Sequence, residues 1–477
     1  MIILIATLAI PAILLPLLTL RNRSSSKIAP SVTIASLLLS LYELPFILTS
    51  NGAGIWYYPR NLISFDGIAL IFSVTIIIVS LMVTISSFST VASSSNNSLY
   101  YSLILFTTLG MILVSSASDL LMLLISWELM TVPSFVLAAF RRNDVKASEG
   151  AIKYFLAAAL SAALILFGIS LAYGISGSTT FSVVANAFAN ASTNTYPIVI
   201  LSSALLASGF AVKMALAPFH FWLPDTVEGS YPQIAALLGA GSKKAGFAAA
   251  IRIFVVLLLV AKFTSFVLNW QIALAIVSAI TITWGNVAAL TQKSISRMLA
   301  YSSIAQAGYM MIGLAVQGTA GAVFGLIGLL LHVLFHGIMK GSAFIATVNI
   351  GDNMDDLAGL YRRAPATALG FTISLFALAG LPPLNGFWSK LYLFLAAVQA
   401  SMPWLAAVAL ANSALALGYY SYLAKRMYFD EPVKKDDPKE KREVLAVLLF
   451  SSAFIIITGF YPGPLIGLIS SLASHLI

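Results

Sequence analysis

Seven basic residues interrupt stretches that are otherwise apolar enough to span a membrane: Lys153, Lys213, Lys243, Lys244, Arg252, Lys340 and Lys390. One acid, Glu128, has a similar setting, because eight apolar or small residues precede it. A charged side chain at the centre of a bilayer costs roughly 2.5–3.5 kcal/mol on insertion scales, so such residues are rare and mark ion or proton pathways. Their number and separation along the chain predict a membrane protein that handles charge.

Two of these lysines stand beside helices that proline interrupts. Lys213 precedes Pro218, and Lys390 follows Pro382 and Pro383. Proline removes a backbone hydrogen bond and opens a helix, and transporters use such broken helices to hold charged cargo. We therefore predict that Lys213 and Lys390 transfer protons. A kinked helix whose lysine reaches the membrane surface is the alternative.

Other charged positions leave alternatives open. An ionised carboxylate at the depth of Glu128 needs a cationic partner or must take up a proton, and a structural ion pair or a neutral acid is the alternative. Lys243 and Lys244 point about 100° apart on a helix, so we expect only one to face a given path. Lys153 lies near the end of its span, at a path entrance or within reach of the surface. Arg252 could reach the outer surface.

His332, His336 and Lys340 are spaced four residues apart and form one stripe along a helix. Histidine titrates near neutral pH, so proton transfer is the favoured function of the stripe. Two histidines one turn apart can also bind a metal, but the sequence offers no third ligand, which disfavours a metal site. Core histidines with satisfied hydrogen bonds are the remaining alternative.

Composition places these residues in a polytopic all-α membrane protein. The 477-residue chain is 60% hydrophobic and 9% charged, whereas soluble domains are about 25% charged. It has no cysteine, which excludes cysteine-ligated iron–sulfur clusters, thiolate zinc sites and disulfides within it. Residues 1–20 are apolar without a basic region before them, so we expect a first span and not a removable signal.

Apolar runs of about 20 residues, the length that crosses a bilayer, recur from end to end. We predict about fourteen spans, at residues 1–20, 29–48, 64–92, 98–114, 118–140, 147–174, 196–222, 233–261, 265–290, 297–317, 320–350, 366–396, 402–428 and 443–474. The fourth and fifth spans, and the tenth and eleventh, are joined so closely that each pair should be antiparallel neighbours. Segments 93–98 and 174–197 are predicted loops, and the charge-dense segment 430–443 is a predicted solvated linker.

Loop charges predict the orientation of these spans. Odd-numbered loops contain seventeen of the 26 lysines and arginines, whereas even-numbered loops contain only Arg60 and Lys262. Cytoplasmic loops carry the excess of basic residues in membrane proteins. Both termini should therefore lie outside, and Arg141 and Arg142 should face the cytoplasm.

Several motifs resemble those of one family, the antiporter-like proton-pumping subunits of complex I, of related membrane-bound hydrogenases and of Mrp-type antiporters. The motifs SWELM at Ser126, EGAIKYF at Glu149, PFHFWLPDTVEG at Pro218 and GSKKAGF at Gly241 are most similar to the subunit N branch. The motif LAYSSIAQAGY at Leu299 is similar to the whole family. By contrast, HVLFHGIMKG at His332 resembles subunit M and the large Mrp subunits.

The resemblance implies fourteen helices with two inverted five-helix repeats, in which helices 7 and 12 are broken. The implied regions are N-terminal helices at 1–95, a first repeat at 96–262, a second at 263–430, and a linker with the last helix at 431–477. It also implies roles for single residues. Glu128 matches the acid that pairs with Lys213, Lys243 the central lysine, and Lys390 the lysine on the exit side.

The implied function is proton translocation within a respiratory quinone oxidoreductase in the plasma membrane of a prokaryote. Other membrane subunits would be the partners, and they would carry the iron–sulfur clusters, flavin and quinone, with no cofactor in this chain. A subunit of a Mrp-type Na⁺/H⁺ antiporter or of a membrane-bound hydrogenase is the alternative. A structural membrane scaffold is disfavoured by the number of buried charges.

Overall fold

A computed structural model describes residues 1–21, 27–52, 62–91, 96–141, 143–254, 264–433 and 440–474. Several residues on which the sequence-based topology depends lie outside these ranges: Arg23, Arg60, Arg142 and Lys262. So do residues 434–439 of the predicted linker and residues 93–95 of the predicted loop at 93–98.

The described chain folds into a bundle of helices. In the first half they are α1 (Ile2–Arg21), α2 (Ile28–Gly52), α3 (Gly67–Ser86), α4 (Phe88–Val91), α5 (Asn97–Ser116), α6 (Leu120–Ala138), α7 (Val145–Ser176), α8 (Phe181–Ala189), α9 (Tyr196–Met214), α10 (Trp222–Gly229), α11 (Pro232–Ala236) and α12 (Lys243–Ile253). In the second half they are α13 (Thr264–Leu290), α14 (Ile295–Ala315), α15 (Ala322–Ile350), α16 (Leu360–Arg363), α17 (Pro365–Ala379), α18 (Asn385–Gln399), α19 (Pro403–Phe429), α20 (Arg442–Phe460) and α21 (Gly463–Ser474).

Ten helical segments within the described ranges are long and apolar enough to cross a membrane, and three further apolar helices are shorter. This confirms the all-α polytopic architecture. The count of fourteen spans stays a prediction, because α14 and α19 are long but more polar, and the apolar stretches of α1, α17 and α21 are shorter. The close antiparallel packing expected for α5 with α6 and for α14 with α15 is present.

Two segments differ from the sequence-based expectation. The predicted loop at 174–197 contains α8, whose Phe181, Val184, Ala185 and Phe188 are all buried. Their spacing is that of one apolar helix face, which the polar residues between them obscured. The predicted last span at 443–474 is two helices, α20 and α21, because Pro462 follows the end of α20 and cannot continue it.

The two predicted helix breaks are present. The helix α9 ends at Met214, and Ala215 turns the chain with φ 55°, a left-handed conformation that is uncommon for a residue with a Cβ. The helix α17 ends at Ala379, and Gly380 makes the corresponding turn with φ 88°. After each break the chain resumes as a second helix, α10 and α18 respectively.

The long helix α15 lies at the centre of the bundle. It packs against α3, α14, α17, α18 and α20. In its most apolar stretch of 18 residues, 89% of the residues are buried. Within α15, His332, His336 and Lys340 are fully buried. A buried charge in a membrane must face protein or water and not lipid, and the position of α15 provides that environment.

One end of the bundle carries the loops with basic residues, and we call it the basic face. There α7, α10 and α14 meet, because Asp225 of α10 binds both Lys153 of α7 and Arg297 of α14. The end of α19 joins the same face through an ion pair of 2.8 Å between Arg426 and Asp355.

Candidate functional site

The first site surrounds Lys213 in the last turn of α9, where only 2% of the residue is exposed. Its Nζ donates a hydrogen bond to the hydroxyl of Tyr154 and, at 3.5 Å, to that of Thr131. The ammonium also lies 4.9 Å from the centroid of the Tyr154 ring, within the range of a cation–π contact. Trp222 stacks on the opposite side of the site, 4.4 Å from the Tyr154 ring.

Glu128 of α6 lies near Lys213 without forming a direct ion pair in the described structure. The charges of the two groups act on each other. However, Lys213 directs its hydrogen bonds to Tyr154 and Thr131, and Glu128 Oε1 is buried with no hydrogen-bond partner in the described part of the chain. The acid therefore acts on the lysine through its charge and not through a hydrogen bond.

Hydroxyl groups connect this site to the centre of the chain. The Tyr154 hydroxyl shares a hydrogen bond of 2.7 Å with Ser134 and also lies close to Ser242. Ser242 ends a π-helical segment, Leu237–Ser242, and Lys243 follows it directly. Such π-helical segments occur frequently at functional sites. This one was not predicted, since the repeated glycines gave no distinct periodicity.

Lys243 and Lys244 are both fully buried, and they face different partners. Lys243 Nζ donates to the backbone oxygen of Ser303 at 2.8 Å. Lys244 Nζ lies 2.6 Å from Nδ1 of His336. The two side chains thus meet separate groups, as their separation of about 100° on a helix requires, and which of them faces the proton path stays a prediction.

The histidine branch runs from Lys244 along α15. The rings of His336 and His332 lie 5.8 Å apart, and His332 Nδ1 is 2.9 Å from the Ser389 hydroxyl. Nε2 of each histidine is buried without a hydrogen-bond partner among the residues that the structure describes. Ser389 directly precedes Lys390, so this branch reaches the second broken helix.

The serine branch runs from Lys243 along α14. Ser303 is adjacent to Ser302, whose hydroxyl accepts a hydrogen bond of 2.7 Å from Lys340. Lys340 also donates to the backbone oxygen of Leu299 at 3.2 Å. The stripe predicted from sequence is therefore divided, since Lys340 belongs to the serine branch whereas the two histidines belong to the other.

Lys390 of α18 lies against the end of α17. Its Nζ donates to the backbone oxygen of Ala379 at 2.8 Å and to Ser413 at 2.9 Å, and it lies 4.7 Å from the centroid of the Tyr309 ring. A Cβ on Gly380 would come within 2.8 Å of the lysine side chain. The glycine therefore allows the turn and leaves room for the Lys390 side chain.

Lys153 belongs to an ion-pair cluster on the basic face, formed by Lys146, Glu149, Lys153, Asp225, Glu228 and Arg297. Lys153 Nζ lies 2.5 Å from Asp225 and 2.6 Å from Glu149. Burial alone would raise the pKa of Asp225, but hydrogen bonds from Lys153 and Arg297 outweigh it and hold that pKa below its usual value. The opposing effects also hold the pKa of Glu228 below its usual value.

Arg252 differs from the expectation that it could reach the outer surface. It is 5% exposed and forms an ion pair of 2.5 Å with Asp66, and it donates to the backbone oxygen of Ser115 at 2.8 Å. Because these contacts join α12 to Asp66 before α3 and to the last turn of α5, they give Arg252 a structural role. The acid lies far away in the sequence, so the spacing of residues could not reveal it.

Within the described ranges, no group of three His, Cys, Asp or Glu side chains could hold a metal ion. Several hydroxyl residues of the site were not predicted, among them Tyr154, Ser242, Ser302, Ser303 and Tyr309. All five stand within the motifs EGAIKYF, GSKKAGF and LAYSSIAQAGY, so those motifs were the available signal.

Comparison with known proteins identifies a protein family that matches this chain. Residues 117–416 match the family described as NADH:quinone oxidoreductase/Mrp antiporter, TM. The chain belongs to this family. The match includes every proton-transfer candidate from Glu128 to Lys390, and it confirms the resemblance predicted from the motifs.

Curated relatives extend over most of the chain. F(420)H(2) dehydrogenase subunit N of Methanosarcina mazei is 38% identical over 93% of this chain and 91% of the relative. NADH-quinone oxidoreductase subunit N of Trichlorobacter lovleyi is 39% identical over 75% of this chain and 73% of the relative. Among solved structures, a chain of respiratory complex I from Thermus thermophilus aligns with a TM-score of 0.82 at 30% identity, covering 98% of this chain and 99% of that one. This membrane protein is thus similar to subunit N chains, despite its histidine-rich α15.

Proposed function

We propose that this chain translocates protons as a membrane subunit of a larger quinone oxidoreductase. One observation carries the proposal: buried basic groups with hydroxyl and imidazole partners extend from Lys213 in the first half to Lys390 in the second. Buried charges of this kind are costly in a membrane and mark proton relays.

The proposed transfer begins at Glu128 and Lys213. A nearby carboxylate favours the charged form of an amine, so a small change in their separation alters how readily Lys213 keeps its proton. The Tyr154 hydroxyl and Ser242 lead from Lys213 to Lys243. From there the proton continues along the serine branch or, through Lys244, along the histidine branch, and Lys390 receives it.

Electron transfer belongs to partner subunits in this proposal. The chain has no cysteine, so it has no thiolate to ligate an iron–sulfur cluster. The relatives carry different donors in their names, F(420)H(2) and NADH. We infer that flavin, iron–sulfur clusters and the quinone site lie in other subunits, and that the donor depends on those subunits.

We also propose that residues 96–262 and 263–430 form inverted repeats, between helices at 1–95 and a linker with the last helix at 431–477. Two backbone bridges support the pairing. Asp119 at the start of α6 bridges to Thr180, and Ser294 at the start of α14 bridges to Asn353. Each bridge joins the start of one helix to the segment that follows the next long helix.

The proposed location is the plasma membrane of a prokaryote, with the basic face in the cytoplasm and both termini outside. Single cysteines at Arg141 and Gly463, introduced into the cysteine-free chain, test this orientation. We expect a membrane-impermeant thiol reagent to label the first from the cytoplasm and the second from outside. Cytoplasmic labelling of both would contradict an orientation with an outer C-terminus.

A Na⁺/H⁺ antiporter subunit is the second candidate, because the matched family description includes Mrp antiporters. Purification through a tagged copy of the chain distinguishes the two. We expect redox subunits to co-purify and quinone reduction to acidify one side of a vesicle equally with and without Na⁺. Proton movement that requires a Na⁺ gradient, with no redox subunit recovered, would favour the antiporter.

A further inference from the structure

A cavity of about 810 Å³ opens at the basic face of the second half. We call it the vestibule, and its lining includes Thr291, Lys293, Asp355, Tyr419 and Tyr422. The lining combines charged and hydroxyl groups, so the cavity suits water. It lies among the ends of α13, α15 and α19, away from Lys213.

Tyr419 forms the inner boundary of the vestibule and is only 5% exposed. Its hydroxyl donates a hydrogen bond of 3.0 Å to Asn286 and lies close to Tyr420 and Ser302. The rings of Tyr419 and Tyr420 are 4.5 Å apart. Tyr419 thus borders the cavity on one side and a buried cluster of hydroxyl groups on the other.

The hydroxyl cluster ends at Lys340. The Tyr420 and Ser302 hydroxyls are hydrogen-bonded to each other, and Ser302 accepts from Lys340 at 2.7 Å. Tyr420, Ser302 and Lys340 are fully buried. A hydroxyl group donates one hydrogen bond and accepts others, so Tyr420 and Ser302 can pass a proton to Lys340, and Tyr419 joins them when its hydroxyl turns from Asn286 to Tyr420.

From this geometry we propose that the vestibule is a water-filled intake site that supplies protons from the basic face to Lys340, separately from the Glu128–Lys213 site. A hydrated proton protonates the Tyr419 oxygen while the Tyr419 hydrogen moves to Tyr420, the Tyr420 hydrogen to Ser302, and the Ser302 hydrogen to the neutral amine of Lys340. Each hydroxyl ends neutral, and Lys340 gains one proton. Asn286 holds the Tyr419 hydroxyl between transfers and is a positioning residue.

The intake site depends on the proposed proton translocation, and it can be tested separately from it. Tyr419→Phe removes the first hydroxyl and keeps the ring. We expect proton transfer through this route to slow by about tenfold or more, since acid–base groups contribute at least that much, while electron transfer continues. Tyr428→Phe is the matched control, because Tyr428 lies on the same helix but belongs neither to the lining of the vestibule nor to the hydroxyl series.

A chemical block tests the vestibule without altering the buried cluster. The chain has no native cysteine, so Thr291→Cys places a single thiol at the cavity. In the reconstituted complex, a cationic, membrane-impermeant methanethiosulfonate should react from the basic face only and reduce the protons moved per electron. The same reagent on the variant that also carries Tyr419→Phe should add little further loss.

The outcomes separate this inference from the proposed function. If the unmodified complex moves no protons, the proposed function itself fails. If it pumps normally after the vestibule is blocked, or if Tyr419→Phe behaves like Tyr428→Phe, the hydroxyl series is interhelical packing and the intake site is refuted. Labelling of Thr291→Cys from the opposite face alone would also overturn it.

Discussion

The two broken helices hold their lysines in different ways. Lys213 comes before its break and shares its site with an acid, Glu128. Lys390 comes after its break, and no carboxylate forms an ion pair with it in the described structure; it donates to the Ala379 oxygen at the end of α17. A helix C-terminus carries partial negative charge, so the backbone there takes the place of the acid.

This difference suggests distinct roles for the two halves. A carboxylate can move or take up a proton, whereas a backbone carbonyl is fixed and does neither. The Lys213 site is therefore adjustable, and the Lys390 site provides a constant environment. Each site also has a tyrosine. Lys213 donates a hydrogen bond to the Tyr154 hydroxyl, whereas Lys390 lies 4.7 Å from the centroid of the Tyr309 ring, a contact that favours a cation.

Removing Lys390 should have the largest effect, because it is the proposed receiver of the protons and the histidine branch leads to the residue before it. For Lys390→Met we expect proton pumping to fall by about tenfold or more, with electron transfer through the partner subunits retained. Pumping and electron transfer are measured separately in vesicles. Lys425→Met, at an exposed lysine, is the control, and equal pumping in the two variants would contradict the role of Lys390.

The acid of the first site should matter next. Glu128→Gln keeps the size of the side chain and removes its charge, so Lys213 should hold its proton less readily and pumping should fall several-fold. Because the pair is not in direct contact, the loss of stability should be smaller than the about 3–5 kcal/mol of a broken buried ion pair. Glu43→Gln is the matched control, since Glu43 is an acid in α2 that accepts from Thr7 at 2.9 Å. Similar losses of pumping in both variants would show that Glu128 has no specific role in proton transfer.

The two branches give a sharper test of the central lysines. Lys243→Met should reduce pumping more than Lys244→Met, because Lys243 lies beside Ser242 and the first site. Because both branches start from Lys243, the double variant should lose no more than Lys243→Met alone. Selective loss in Lys244→Met alone would assign the path to the histidine branch.

The smallest effect is expected at the ion-pair cluster that joins the halves. Asp225→Asn should cost about 1–2 kcal/mol of stability, since the pair is charged but partly exposed. The pKa of Asp225 is held below its ordinary value of 3.8. Its stabilising contribution is therefore complete above pH 3.8 and is lost as the pH falls through the lowered pKa.

Thermal unfolding measured against pH checks this prediction. The native protein should lose stability below pH 3.8, the ordinary pKa of Asp225, and Asp225→Asn should lack that component. Asp430→Asn, which removes the 3.0 Å pair with Arg426, should have a smaller effect. An unchanged acid profile in Asp225→Asn would show that the cluster does not depend on this carboxylate.

The sequence predicted the elements whose signal is local. Prolines located both helix breaks, and charges within apolar runs located Lys213, Lys243 and Lys390. What it missed depends on long-range contacts. Arg252 forms an ion pair with Asp66, which lies in a distant segment of the sequence. Lys340 donates a hydrogen bond to Ser302 of α14, although it shares one face of its own helix with the two histidines. A spacing of four residues fixes the face of a helix but not the neighbour that each side chain reaches.

The most direct test of the account is the number of protons moved per electron pair in the reconstituted complex, compared between the native chain and a Lys213→Met, Lys390→Met double variant. Buried lysines in both halves are proposed to carry the protons of this subunit. We predict that quinone reduction continues while the ratio falls by the contribution of this chain. An unchanged ratio in a fully assembled complex would contradict the account.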